Sequence, residues 1–161
     1  MEEISANFIV NGKSIKLSSD PTRTLLSVLR EELQLKGAKE ACGQGDCGAC
    51  VVVIDDKAVN SCLVLVGQID GAEIITVEGL AKQGSLKKLQ DHFIEKWAFQ
   101  CGYCTSGMLM SAYALLLSNP NPTEEEIRTS IAGNLCRCTG YNEIVEAIEA
   151  FASETAQNQD G

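Results

Sequence analysis

The chain opens on Asn7-Phe8-Ile9-Val10 and resumes after Asn11-Gly12 with Ser14-Ile15-Lys16-Leu17, in which polar and apolar positions alternate. Asn-Gly supplies the positive φ angles of a type I′ turn, so the two runs are predicted to pair as a β-hairpin. Asp20-Pro21-Thr22 breaks the pattern and starts a helix with Leu25, Leu26, Val28, Leu29 and Leu33 on one face, laid across the hairpin. Further on, Val51 to Ile54 reads as a buried strand, Asp55-Asp56-Lys57 as a turn and Ala58-Val59-Asn60 as the returning strand. Glu73 to Val77 reads as one more strand.

From about Gly79 the period changes from two to 3.6, and this shift is the expected domain boundary. Leu86, Leu89, Phe93 and Trp97 fall at spacings of three and four, which predicts a helix with one apolar face. The lone His92 on it reads as a surface residue, since the sequence holds no second imidazole. An apolar stretch from Met108 to Leu117 is broken by Asn119-Pro120-Asn121-Pro122, and Thr123 with Glu126 forms a capping box for the next helix. Ile144, Val145, Ile148, Phe151 and Ala152 define a last amphipathic helix. The expected organisation is therefore a sheet-rich domain over 1–78, a helical domain over 79–153, and a polar, frayed tail over 154–161.

Charge narrows the choice of partners. The net charge is −9 and no block of lysines or arginines interrupts the acidic surface, which argues against nucleic acid and anionic membrane. The N-terminus carries Glu2 and Glu3 where a secretory signal would be basic, and no apolar run is long enough for a membrane span. The expectation is a cytoplasmic protein.

In such a compartment eight cysteines point to metal or catalysis, because reducing conditions disfavour disulfides. They fall in two groups. Cys42, Cys47 and Cys50 lie in a Gly-rich loop with Cys62 beyond it, a spacing close to the plant-type pattern for a [2Fe-2S] cluster but with a shorter last gap. Glycines at 43, 45 and 48 let that loop bend tightly and bring backbone N–H groups toward sulfur. The second group pairs Cys101-x2-Cys104 with Cys136-x-Cys138, and the 31 intervening residues form a helical hairpin that returns the chain to its start. A structural zinc protein also uses Cys-x2-Cys pairs, but these spacings match common zinc sites poorly, and colour would separate the two. Each half is near the size at which a hydrophobic core alone contributes only a few kcal/mol, so ligation would assist folding.

Cys-x4-Cys-Gly-x-Cys with Cys62, then Gln-Cys-Gly-Tyr-Cys-Thr-x-Gly-Met, then Gly-Asn-Leu-Cys-Arg-Cys-Thr-Gly-Tyr, together resemble the iron-sulfur subunit of the molybdenum hydroxylases, the xanthine dehydrogenase family. The resemblance runs from about Ile4 to Phe151. It implies an α+β chain, with an N-terminal β-grasp [2Fe-2S] ferredoxin-like domain followed by a C-terminal four-helix-bundle [2Fe-2S] domain. It further implies that Cys101, Cys104, Cys136 and Cys138 hold the cluster nearest molybdopterin (Mo) on a large subunit, and that Cys42, Cys47, Cys50 and Cys62 hold the one nearer FAD on a medium subunit. Gln100 and Cys138 are then the contacts to the pterin, and a dimer of heterotrimers is the usual assembly.

Three positions depart from the family pattern. Ser106 stands for the usual proline, Ala41 for a glycine and Val51 for a threonine; none removes a ligand, but Ser106 restores a backbone N–H at the helix start. The sequence shows no nucleophile, general base or phosphate cradle, so it holds no catalytic residue and substrate chemistry falls to a partner. The alternative reading is a free-standing 2Fe-2S redox carrier, which would purify without molybdenum or flavin.

Overall fold

The computed structural model describes residues 2–82 and 84–157, and the side chains of 84–86 lie outside that description, Leu86 among them. Strands β1 (Ile4–Val10) and β2 (Lys13–Ser19) pair antiparallel through the Asn11-Gly12 turn, where both residues have positive φ. Ala6, Phe8 and Val10 face inward, as alternation requires. Next come a single helical turn, α1 (Leu25–Ser27), and a π-helical turn over Val28–Glu32. The expected continuous helix over Leu25 to Leu33 is thus two short turns, although Leu25, Leu26, Val28 and Leu29 are buried as anticipated. The wide turn swings the chain toward the cysteine loop, and Arg30 Nη1 holds it by donating to the carbonyls of Lys36 and Ala38 at 3.1 and 2.8 Å.

Strands β3 (Val51–Ile54), β4 (Lys57–Asn60) and β5 (Glu73–Ile75) complete a mixed five-stranded sheet in the order β2-β1-β5-β3-β4, with β1 and β5 parallel. The strand expected to run to Val77 ends two residues earlier. Asn11 takes hold of the backbone there: Thr76 N donates to Asn11 Oδ1 and Asn11 Nδ2 donates to Thr76 Oγ1, both at 2.9 Å, which turns the chain out of the sheet into α2 (Val77–Leu80).

Helices α3 (Gly84–Glu95), α4 (Thr105–Ser118), α5 (Glu124–Ile131) and α6 (Asn142–Gln157) form the second half. Helix α4 is buried on nearly every side from Ser106 to Tyr113, because β3 covers one flank and α5 another. The two cores meet on β3: Val52 belongs to the core with α1, while Val51 and Val53 point the other way into the helical core. Thr123 and Glu126 form the expected capping box on α5, with Glu126 N donating to Thr123 Oγ1 at 3.3 Å.

Three sequence expectations need correction. Trp97 does not join the apolar face of α3. It sits at positive φ just past the helix, in a Schellman-type end where Ala98 N donates to Phe93 O and Trp97 N to Ile94 O, and its side chain is 79% exposed. His92 is not a free surface residue: its ring packs edge-on to Phe151, and Nε2 lies 2.8 Å from Glu154 Oε2. That contact, with Lys88 Nζ 2.5 Å from Glu154 Oε1, holds α6 in helical form to Gln157, past the start of the expected frayed tail. Residues 158–161 of that tail lie outside the described residues.

Candidate metal centres

The first cysteine loop is held by contacts that leave its thiols facing one another. Lys39 N donates to Ala49 O at 3.0 Å, Asn60 Nδ2 to Gly45 O at 2.9 Å, and the buried Ser61 hydroxyl to Cys50 O at 2.7 Å. Cys42 is paired with Cys47, and Cys50 with Cys62. The Gln44 N–H aims at Cys42 Sγ at 3.5 Å, and together with the Cys47 thiol it pulls the Cys42 thiol down to about 6. Burial, reinforced by Cys50, pushes Cys62 up to about 11.

The second set forms where the N-terminus of α4 meets the loop before α6, as the helical-hairpin reading requires. Cys138 Sγ and Cys101 Sγ lie 3.5 Å apart at the surface, and Cys104 pairs with Cys136 beneath them. Burial pushes Cys104 up to about 12. Burial also works against ionisation of Cys136, but the Thr139 hydroxyl and N–H, 3.1 and 3.3 Å from its sulfur, prevail and lower it. Gln100 is exposed and precedes Cys101, the thiol that meets Cys138.

Among the described residues no three His, Cys, Asp or Glu side chains converge as they would around a single metal ion. The thiols meet instead in twos, two pairs to a set. That suits a [2Fe-2S] core, which asks for two thiolates on each iron. Cys62 and Cys104, held up by burial, stay protonated at neutral pH, so loading must release their protons.

Ser106, one of the departures, is 6% exposed and its hydroxyl accepts from Lys39 Nζ at 3.3 Å. Lys39 also lies 5.8 Å over the Tyr103 ring, and Tyr103 donates its hydroxyl hydrogen to Glu40 O at 2.5 Å. These contacts tie the segment before Cys42 to the Cys101–Cys104 turn. Sequence reasoning passed over them, and over Asn134, because a lysine, a tyrosine and an asparagine in loops carry no spacing signal.

Residues 8–78 match the 2Fe-2S iron-sulfur cluster binding domain family, and residues 76–149 match the [2Fe-2S] binding domain family. The chain is 46% identical over 98% of its length to the nicotinate dehydrogenase small FeS subunit of Eubacterium barkeri, all of which it covers. It is also 46% identical to a probable xanthine dehydrogenase subunit of Bacillus subtilis (strain 168), over 86% of this chain and 79% of that one. Among solved structures, a chain of quinoline 2-oxidoreductase from Pseudomonas putida 86 superposes with a TM-score of 0.90 at 42% identity, covering 98% of both.

Proposed function

The chain belongs to the family of iron-sulfur subunits of the molybdenum hydroxylases, the xanthine dehydrogenase family, and from that premise we propose that it carries electrons from a molybdopterin-bearing large subunit to an FAD-bearing medium subunit. Cys42, Cys47, Cys50 and Cys62 hold one [2Fe-2S] cluster, and Cys101, Cys104, Cys136 and Cys138 hold the other. Each cluster, when bound, supplies a one-electron redox centre. The protein's share is to fix the thiolates, to aim N–H groups such as those of Gln44 and Thr139 at sulfur, and to bury Cys50 and Cys62 while leaving Cys104 and Cys136 half-buried.

The observation that carries this reading is the gathering of all eight cysteines into two paired sets, one of which opens at the surface with Gln100 beside it. Gln100 and Cys138 face the pterin in this account. Trp97, Phe99, Tyr103 and Leu135, exposed around the same cysteines in sequence, are the apolar surface that the large subunit covers. The domain division is placed at 78/79, with β-grasp topology before it and α3 to α6 as a four-helix bundle up to 153. The assembly is a heterotrimer, paired as a dimer of trimers and cytoplasmic; no helix among the described residues is long and apolar enough to cross a membrane.

The native complex, purified without tags on its partners, tests this reading. Native mass should show three kinds of subunit, with molybdenum, flavin and four irons per copy of this chain, two for each matched domain. A chain that purifies alone with both clusters would favour the free-standing carrier instead.

A further inference from the structure

A buried seam joins the two cysteine sets, and Asn134 is its centre. Asn134 is 2% exposed and engages its backbone and both ends of its amide. Its N–H donates to Ile131 O at 2.9 Å, its carbonyl accepts from the Tyr141 hydroxyl at 3.1 Å, its Oδ1 accepts from Ser111 Oγ at 2.7 Å, and its Nδ2 donates to Gly48 O at 3.0 Å. The next residue, Leu135, donates its N–H to Cys47 O at 2.9 Å. Cys47 belongs to the first set, and Cys136, which follows Leu135, belongs to the second. One hydrogen bond and one intervening residue therefore link the two.

The packing around this link admits no side chain. Gly48 has φ +69, and a Cβ on it would lie 2.5 Å from both Asn134 Nδ2 and Gly133 O. A Cβ on Gly107, in the first turns of α4, would collide with the Gly48 carbonyl oxygen. Three segments thus meet backbone to backbone, and a buried amide with every group satisfied fixes their spacing.

We propose that Asn134 is a positioning residue for electron transfer between the two cysteine-held centres, because it locks Cys47 O onto the Leu135 N–H and so keeps the shortest bonded route between them closed. This rests on the assignment of the two ligand sets above. One electron leaves the centre held by Cys101, Cys104, Cys136 and Cys138 and enters the one held by Cys42, Cys47, Cys50 and Cys62. No bond is made or broken and no proton need move. Asn134 touches neither set through its side chain and acts only by holding the bridge.

The test uses the native complex and three forms of this chain: wild type, Asn134→Asp and Thr123→Ala. Asn134→Asp keeps the size and the acceptor for Ser111 but turns a carboxylate oxygen on Gly48 O in place of a donor, which opens the seam. Thr123→Ala weakens the N-terminal cap of α5, at the end opposite Ile131, and controls for lost stability. Iron content, midpoint potentials and both reduced paramagnetic signals are measured first. A wild-type complex with a single signal overturns the two-centre assignment itself, and is distinct from any result on Asn134.

With both signals and potentials retained, Asn134→Asp should slow the transfer between centres about fivefold, the factor that the low end of the cost of an unsatisfied buried carbonyl corresponds to. It should also weaken the low-temperature spin–spin interaction between the two signals, while Thr123→Ala leaves both at the wild-type value. A wild-type rate in Asn134→Asp overturns the proposal. Should Asn134→Asp fail to load, amide exchange in the wild-type complex decides: strong protection of the Leu135 N–H upholds the closed bridge, and exchange as fast as that of an exposed loop overturns it.

Discussion

Gly107→Ala sets two effects of known size against each other. Gly107 is inside α4, where alanine is preferred over glycine by about 1 kcal/mol, so helix propensity alone predicts a more stable protein. The added Cβ would collide with the Gly48 carbonyl oxygen and come 3.0 Å from Asn134 Nδ2, and the atom struck is backbone rather than the end of a flexible chain. Overpacking of that kind costs about 1–3 kcal/mol, and displacing Gly48 O from Asn134 Nδ2 costs about 1 kcal/mol more. The net loss is then about 2 kcal/mol. With a urea dependence of about 2 kcal/mol per molar, the unfolding midpoint, followed by loss of visible absorbance and by circular dichroism, should fall by about 1 M. Gly133→Ala is the control, because a Cβ there meets nothing within 4 Å. A midpoint for Gly107→Ala at or above that of the wild type would refute the seam packing described here.

Other perturbations read other parts of the structure. Thr123→Ala should cost about 1 kcal/mol in the same urea assay, through the lost cap on α5. Thr123 N–H and hydroxyl bonds hold Glu126 below its ordinary 4.5, so this group's contribution is present above that pH and is lost as pH falls through the lowered value; a Glu126→Gln protein should show a smaller drop in melting temperature on acidification than the wild type. In cluster-free chain, Cys42, held down to about 6, should be alkylated first at pH 7 and Cys104, pushed up to about 12, last, as read by peptide mass; equal labelling of the two would contradict the thiol geometry. Trp97, the single tryptophan and 79% exposed, should be freely quenched by acrylamide in isolated cluster-free chain and shielded in the assembled complex.

Much of the architecture was legible because local chemistry and tertiary demand agree. Asn11-Gly12 takes the positive φ angles its residue types favour, the Thr123–Glu126 box sits where its spacing says, and the apolar face of α6 is the buried one. The errors arise where a distant contact overrides a local preference. Val77 has the profile of a strand residue, but the Asn11 side chain, 65 positions from Thr76, diverts the chain just before it. Trp97 continues a helical period, yet the helix has already ended in a left-handed residue that directs the ring to solvent. His92 looked idle because its partners, Phe151 and Glu154, come from another helix.

The cysteines were legible as two sets because spacing and glycine content are local. What joins the sets was not. Asn134 beside Cys136 reads as an ordinary loop asparagine until the fold places Gly48 against it, 86 residues away in sequence. Lys39 and Ser106 likewise meet only through the packing of the two halves.

The central claim is that electrons cross this chain in order, entering at the Cys101, Cys104, Cys136 and Cys138 set and leaving from the Cys42, Cys47, Cys50 and Cys62 set. Rapid mixing of substrate with a complex carrying Cys138→Ala tests it most directly. That variant, assayed to contain two irons in place of four, should still accept electrons from substrate but reduce the flavin far more slowly than the wild type, since the first stepping point is gone. Flavin reduction at a near-normal rate in protein verified to lack that centre would contradict the account.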